Sequence, residues 1–255
     1  MGNASLAIEI RGADKVYPNG VRALQPIDLR VRDGEVVTLI GPSGCGKSTL
    51  LRLVASLTTP SSGSVSIAPS YRSGRVAFVF QHPTLMPWAR VDSNVRLPLD
   101  LAGVDRRQAQ ERAARALELV GLRDFHRAYP RELSGGMQMR TSIARALATG
   151  PQMLLLDEPF GALDEIARNR LDRDVSSLAA RENLTVLFVT HSIYEAVFLS
   201  SRVLVMSPRP GRVIDEVVID APQPRPDAFR AGEVFATACA RLSRSLEVAV
   251  EGSLP

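Results

Sequence analysis

A chain of 255 residues, 45 % hydrophobic and 23 % charged, can bury a sizeable core as one large domain or two small ones. No stretch approaches about 18 uninterrupted apolar residues, so no membrane span is expected, and a net charge of +4 is too mild to imply DNA or RNA by itself. The opening Met1-Gly2-Asn3-Ala4-Ser5 has no basic segment leading into an apolar core, and Leu6 stands where myristoylation needs Ser or Thr, so neither a secretory signal nor that lipid is expected.

In chain order, Leu6 to Ile10 reads as a strand, and Ile27, Leu29 and Val31 alternate with charged residues in a second. Asp33-Gly34 then turns the chain into a buried run, Glu35-Val36-Val37-Thr38-Leu39-Ile40. That run leads into Gly41-Pro42-Ser43-Gly44-Cys45-Gly46-Lys47-Ser48-Thr49, which fits G-x-x-x-x-G-K-[ST], the phosphate-binding loop of nucleoside triphosphatases. An apolar, helix-like segment from Leu50 to Val54 follows, so the motif sits between strand and helix as its mechanism requires. Glycines let successive N–H groups face one anion, and the helix start adds its positive end. Lys47 supplies a mobile charge for the outer phosphates, and the Ser48 hydroxyl can ligate Mg²⁺. Lys15 and Lys47 are the only lysines in a chain that otherwise uses arginine, so the loop selects a compact charge on a flexible stem over a planar fork. Cys45 lies inside this loop, where a bridge to Cys239, the only other cysteine, would block the site; a reducing, cytosolic setting follows.

Val65-Ser66-Ile67 and Val76 to Phe80 read as further strands. From about His82 to Arg131 the pattern turns helical, with Asp105 capping a helix whose apolar face is Ala109, Ala113, Ala116, Leu117 and Val120, stopped at Gly121. Ser134 caps another helix running to about Ala148. Strands and helices then alternate: Met153 to Leu156, Asp164 to Ala180, Leu184 to Val189, Ser192 to Leu199, Val203 to Met206. Near-continuous apolar strands between helices predict an α/β fold, a parallel sheet covered on both faces, with an antiparallel layer ahead of it. Pro208 to Pro226, with five prolines, reads as a linker to a C-terminal helix. Met153-Leu154-Leu155-Leu156-Asp157-Glu158 is a buried strand ending in two carboxylates; Asp157 suits Mg²⁺ and Glu158 suits taking a proton from an attacking water. Trp88, the only tryptophan, is expected in the core, and His82 and His126 are expected to be structural or solvated.

Leu133-Ser134-Gly135-Gly136-Met137-Gln138 resembles the signature motif of ABC-type ATPases, with Met at the fifth place as a frequent variant. The rest of that family's pattern follows in order over most of the chain. Tyr17 matches the aromatic residue that stacks on adenine. Gln81 matches the glutamine that contacts Mg²⁺ and water and senses the membrane partner. Phe160-Gly161-Ala162-Leu163-Asp164 resembles the loop that crosses to the other subunit, and His191 matches the switch histidine near the terminal phosphate. The resemblance implies a phosphate-loop NTPase core of mostly parallel sheet, an antiparallel β layer and an inserted helical subdomain. It divides residues 1–255 into a core at about 1–82 and 149–220, helices at about 83–148, and a closing segment at about 221–255. It implies ATP and Mg²⁺ as cofactors and a head-to-tail dimer with a second copy, in which Ser134, Gly135 and Gly136, a second helix start bare of side chains, face the partner's nucleotide.

Gln81-His82-Pro83-Thr84-Leu85-Met86-Pro87-Trp88, with His191 to Ser200 and Met206 to Arg212, resembles the nitrate/sulfonate/taurine branch of importers. That implies import of a small solute, whether nitrate, a sulfonate, taurine or a related anion, or a pyrimidine-type compound, among which the sequence does not choose. It also implies two membrane permease subunits, an extracytoplasmic solute-binding protein, no nucleic acid, and a peripheral place on the cytoplasmic face of the inner membrane. One departure is Met139, where the family often has glutamine; that position is expected outside the chemistry. Three rivals share the nucleotide site. A soluble ABC ATPase acting on nucleic acid or ribosomes usually has two ATPase units or a long coiled-coil insert, which this chain lacks. An exporter differs only in the branch motifs, and a catalytically dead regulator would not keep Lys47, Asp157, Glu158 and His191 together.

Overall fold

The computed structural model describes residues 5–71, 74–161 and 163–251. The N-terminal reading on residues 1–4, and Ala162 of the Phe160–Asp164 segment, lie outside the described residues. The chain runs β1 (Leu6–Val16), β2 (Arg22–Arg32), β3 (Val36–Ile40), α1 (Lys47–Val54), β4 (Ser62–Ile67), β5 (Val76–Val79), α2 (Val91–Leu101), α3 (Arg106–Leu119) and α4 (Gly135–Ala148). It continues through β6 (Met153–Asp157), α5 (Glu165–Arg181), β7 (Thr185–Thr190), α6 (Ile193–Leu199), β8 (Arg202–Met206), β9 (Val213–Val218) and α7 (Glu233–Glu251).

Two sheets form. An antiparallel layer has the order β2-β1-β4, and a larger sheet has the order β5-β6-β7-β3-β8-β9, parallel except for β9. The parallel strands are buried on both faces because their side chains alternate between two cores. Met153, Leu155, Leu187, Val189, Leu204 and Met206 point toward α1 and the antiparallel layer. Leu154, Leu156, Val186, Phe188, Val203 and Val205 point the other way, into the core shared with the later helices. Helices α2, α3 and α4 pack together at that side, and α3 buries the expected Ala109, Ala113, Ala116 and Leu117. The Asp105 carboxylate caps α3 by accepting from the amides of Arg107 and Gln108, and Gly121 adopts φ 68 just beyond its end. Met139 is buried in the same core.

Three expectations need correction. Trp88 is 76 % exposed, not buried. The region read as a linker contains β9, whose sequence Val213-Ile214-Asp215-Glu216-Val217-Val218 is a weakly alternating edge strand, antiparallel to β8 and exposed on alternate residues. The stretch from His82 to Arg131 becomes helical only at Val91, because Pro83, the left-handed Thr84 (φ 49) and a turn at Pro87–Trp88 keep residues 82–90 irregular.

The turn joining β8 to β9 is fitted to the phosphate loop. Gly211 N donates to Ala23 O (2.9 Å) and Gln25 N donates to Gly211 O (2.9 Å), which ties the turn to β2. An added Cβ at Gly211 would lie 1.9 Å from the Cys45 carbonyl oxygen, so only glycine fits. Further on, Arg225 is 3 % exposed, and its guanidinium donates to Phe198 O (3.0 Å) and Ser200 O (2.8 Å), also reaching Val197 O, while stacking 4.8 Å from the Phe229 ring. It closes the C-terminal end of α6 and docks the segment before α7. Burial lowers its pKa to about 10, and it stays charged at neutral pH.

Two outcomes are expected. Gly211→Ala forces the turn or the phosphate loop to move, so stability falls by about 1–3 kcal/mol and ATP affinity falls with it, as read by thermal melting and nucleotide titration. Arg225→Met leaves several buried carbonyls unpaired and costs about 3 kcal/mol in urea unfolding with ATP affinity retained once folded.

Candidate functional site

Five parallel strands end at one edge, and each carries a sequence-predicted residue or motif at that end. In sheet order these are Gln81 after β5, Asp157 and Glu158 at β6, His191 after β7, the phosphate loop after β3, and the Ser207–Arg212 turn after β8. Ligands in open α/β sheets bind outside the carboxyl ends of the strands, which is where these groups converge. A cavity of about 390 Å³ opens there, lined by Tyr17, Ser43, Lys47, Gln81, Glu158 and Arg209 among others.

The phosphate loop wraps from Gly41 to Gly46 and starts α1 at Lys47. Gly46 has φ 103, and a Cβ there would lie 2.5 Å from Leu24 and 2.8 Å from Ala23 O, so β2 supports the loop from behind. The Lys47 ammonium, 4 % exposed, donates to Gly41 O (2.8 Å) and Pro42 O (3.0 Å) and lies 3.9 Å from Glu158 Oε1. Cys45 is buried, with its Sγ 3.8 Å from Lys47 Nζ. Ser43, Gly44, Gly46, Ser48 and Thr49 line the cavity. Tyr17 lies at the end beyond β1, its hydroxyl 3.2 Å from Thr49 Oγ1.

Glu158 is the meeting point. Its Oε2 is 3.4 Å from Gln81 Nε2 and 3.4 Å from His191 Nδ1. Its backbone lies at φ 46, a left-handed conformation that costs a non-glycine residue about 1 kcal/mol or more. The Glu158 amide donates to Val189 O (2.9 Å), which anchors the turn against β7. Strain at such a position is what functional sites tolerate when the side chain must point one way. Beside it, the Ser48 hydroxyl donates to Asp157 Oδ1 (2.7 Å), and Asp157 is 2 % exposed. Burial pushes the Asp157 carboxyl above the usual aspartate range, against the pull of Ser48, Arg52 and Lys47. A buried carboxylate touching a hydroxyl fits one divalent cation. Among the described residues no group of three or more His, Cys, Asp or Glu could hold a metal ion.

Ser134, Gly135 and Gly136 are not brought to this cavity. Ser134 caps α4 by accepting from Met137 N (3.2 Å), and Gln138 Nε2 donates to Pro130 O (3.0 Å), fixing the approach to the helix. A Cβ on Gly135 would meet nothing within 4 Å, so packing within this chain does not explain that glycine. Residues the sequence reading passed over complete the picture. Arg145 on α4 donates to Thr84 O (2.9 Å) and Pro83 O (3.0 Å), and buried Asn94 exchanges hydrogen bonds with Met86 and donates to Ala89 O (3.0 Å), so residues 83–90 are stapled while Trp88 projects outward. Arg209 reaches the nucleotide-sized cavity from the turn that packs on Cys45; its motif was visible in sequence, but its place was not.

The family model described as ABC transporter matches residues 24–161. The aliphatic sulfonates import ATP-binding protein SsuB 1 of Pseudomonas savastanoi pv. phaseolicola is 48 % identical over 214 residues, 83 % of this chain and 86 % of that protein. The nitrate import ATP-binding protein NrtD of Synechocystis sp. is 43 % identical over 221 residues, 84 % of this chain and 83 % of its own. The dimeric post-hydrolysis structure of the ATP-binding cassette MJ0796 bound to ADP and Pi superposes with a TM-score of 0.77 at 30 % identity, covering 84 % of this chain and 100 % of that one. With its strand-end site and these matches over most of its length, the chain belongs to the ABC transporter family, among its ATP-binding subunits.

Proposed function

We propose that this chain is the ATP-hydrolysing subunit of a bacterial importer for a small solute such as nitrate, a sulfonate or taurine. The observation that carries the reading is the convergence on Glu158, whose carboxylate has Gln81, His191 and Lys47 within 3.9 Å and the Ser48–Asp157 pair alongside. In this reading Tyr17 receives the adenine. Gly41, Pro42, Ser43, Gly44, Cys45, Gly46, Ser48 and Thr49 wrap the phosphates, and Lys47 exchanges its loop carbonyls for phosphate oxygens. Ser48, Asp157 and Gln81 hold Mg²⁺, which neutralises charge on those oxygens when bound. Glu158 takes the proton from the attacking water, and His191 contacts the terminal phosphate. Exposure of Gly135 at the start of α4 supports a role for Ser134, Gly135 and Gly136 toward a second copy, whose phosphate loop would complete the anion site.

The same proposal gives the regions distinct work: residues 1–82 and 149–220 form the hydrolytic core, 83–148 the helical part and 221–255 the closing segment. The stapled loop presenting Trp88 supports docking of two permease subunits beside Gln81, with an extracytoplasmic binding protein delivering the solute. No helix among the described residues is long and apolar enough to cross a membrane, so attachment at the cytoplasmic face of the inner membrane would come through the permease. Glu158→Gln is expected to cut turnover by about 10²–10⁴ while ATP still binds and dimers accumulate; near wild-type hydrolysis would refute the base assignment. Trp88→Ala is expected to weaken co-purification with the permease about tenfold or more, as loss of a buried aromatic anchor does, with ATP affinity unchanged.

A further inference from the structure

We propose that Arg168 and Glu195 are a positioning pair that ties Leu163, just ahead of α5, to the turn carrying His191, so that the start of α5 and that turn hold one another's geometry. The inference rests on the reading of His191 given above. The His191 side chain is 63 % exposed, so packing does little to orient it and its backbone must. That backbone is bracketed from both sides by α6. Thr190 Oγ1, before it, donates to Glu195 Oε2 and accepts from Ser192 N (3.0 Å). Ser192, after it, caps α6 by accepting from Glu195 N (3.3 Å). One residue, Glu195, thus fixes both neighbours of His191.

The other carboxylate oxygen of Glu195 faces a different element. Its Oε1 lies 3.4 Å from Arg168 Nε on α5. The same guanidinium donates to Leu163 O (2.9 Å), inside the segment that precedes α5, and Asp164 caps α5 by accepting from Ala167 N (2.8 Å). Arg168 therefore spans the two loops, its Nη2 donating to a loop carbonyl and its Nε at ion-pair distance from a buried carboxylate without a hydrogen bond of its own. Glu195 is 4 % exposed while the Arg168 side chain is 32 % exposed, so water screens the pair from the arginine side only. Burial raises the Glu195 carboxyl, while Thr190, Arg168 and His191 favour its charged form. One turn further along α5, Asp172 bonds Arg230 (2.7 Å), whose guanidinium stacks 3.9 Å from the Phe198 ring on α6. That second contact keeps α5 and α6 in register behind the pair. Neither Arg168 nor Glu195 lines the nucleotide cavity, so their effect on hydrolysis passes through the loops they hold, of which the His191 turn is the one that reaches Glu158.

The test uses the full chain with Mg²⁺ and ATP. Glu195→Gln keeps an acceptor for Thr190 but removes the charge facing Arg168, and Arg168→Met removes the fork at similar volume. Each is expected to lower kcat about tenfold or more while the ATP dissociation constant stays within about twofold. In a His191→Ala background the same Glu195→Gln change is expected to cost less than about a further twofold, because coupled residues are not additive. Arg168→Lys, which keeps the charge and cannot make both contacts, should lose part of the rate, and it carries the test if Arg168→Met does not fold. Wild-type kcat in Glu195→Gln and the arginine variants, or an undiminished loss in the His191→Ala background, would overturn the pairing while leaving the nucleotide site intact. If His191→Ala itself hydrolyses ATP at the wild-type rate, the reading of His191 falls and the inference falls with it.

Discussion

A strand covered by apolar layers on both faces cannot carry a charge until it emerges, and that constraint places this site. β3, β6, β7 and β8 contribute buried side chains to two cores, so ionisable groups are expelled to the strand ends. Because these strands are parallel, their ends share one edge. Lys47, Asp157, Glu158 and His191 meet at the carboxyl edge, while Glu35 and Arg202 pair at the opposite one. The antiparallel layer completes the arrangement by bracing the phosphate loop through Leu24 and Ala23.

Electrostatics at this edge is a matter of partners rather than of exposure. Lys47 is buried, yet two carbonyls of its own loop and the nearby Glu158 accept its charge. Asp157 is equally buried and, among the described residues, its carboxylate meets the Ser48 hydroxyl at hydrogen-bonding distance. Away from the edge, Arg225 solves the opposite problem: several carbonyls at the end of α6 converge on one guanidinium that has no carboxylate in contact. The interior therefore holds charge where backbone carbonyls converge on it, as at Arg225, or where an opposite side-chain charge meets it, as at Glu195 and Asp172.

Much of this was legible in the sequence because it depends on neighbours along the chain. The phosphate loop needs a strand before it and a helix after it, and both were visible; the caps Asp105 and Ser134 are local signals; the acids follow directly on a four-residue apolar run. What escaped depends on elements that meet only in space. Trp88 looked like a core residue by type, but Arg145 from α4 and Asn94 from α2 hold its loop so that the ring points outward. β9 escaped because an edge strand with one wet face alternates too weakly among prolines to stand out. Arg209 could be quoted as part of a motif without any hint that Gly211 presses its turn onto Cys45.

The two-core arrangement limits how this gene can vary. Inserting or deleting one codon within β6 would exchange Leu154 and Leu155 between opposite sides of the sheet and drag Asp157 out of reach of Ser48 in the same stroke. Length polymorphism must then be confined to the connections, and the distance from Met153 to Glu158 should be as invariant as the chemistry it serves.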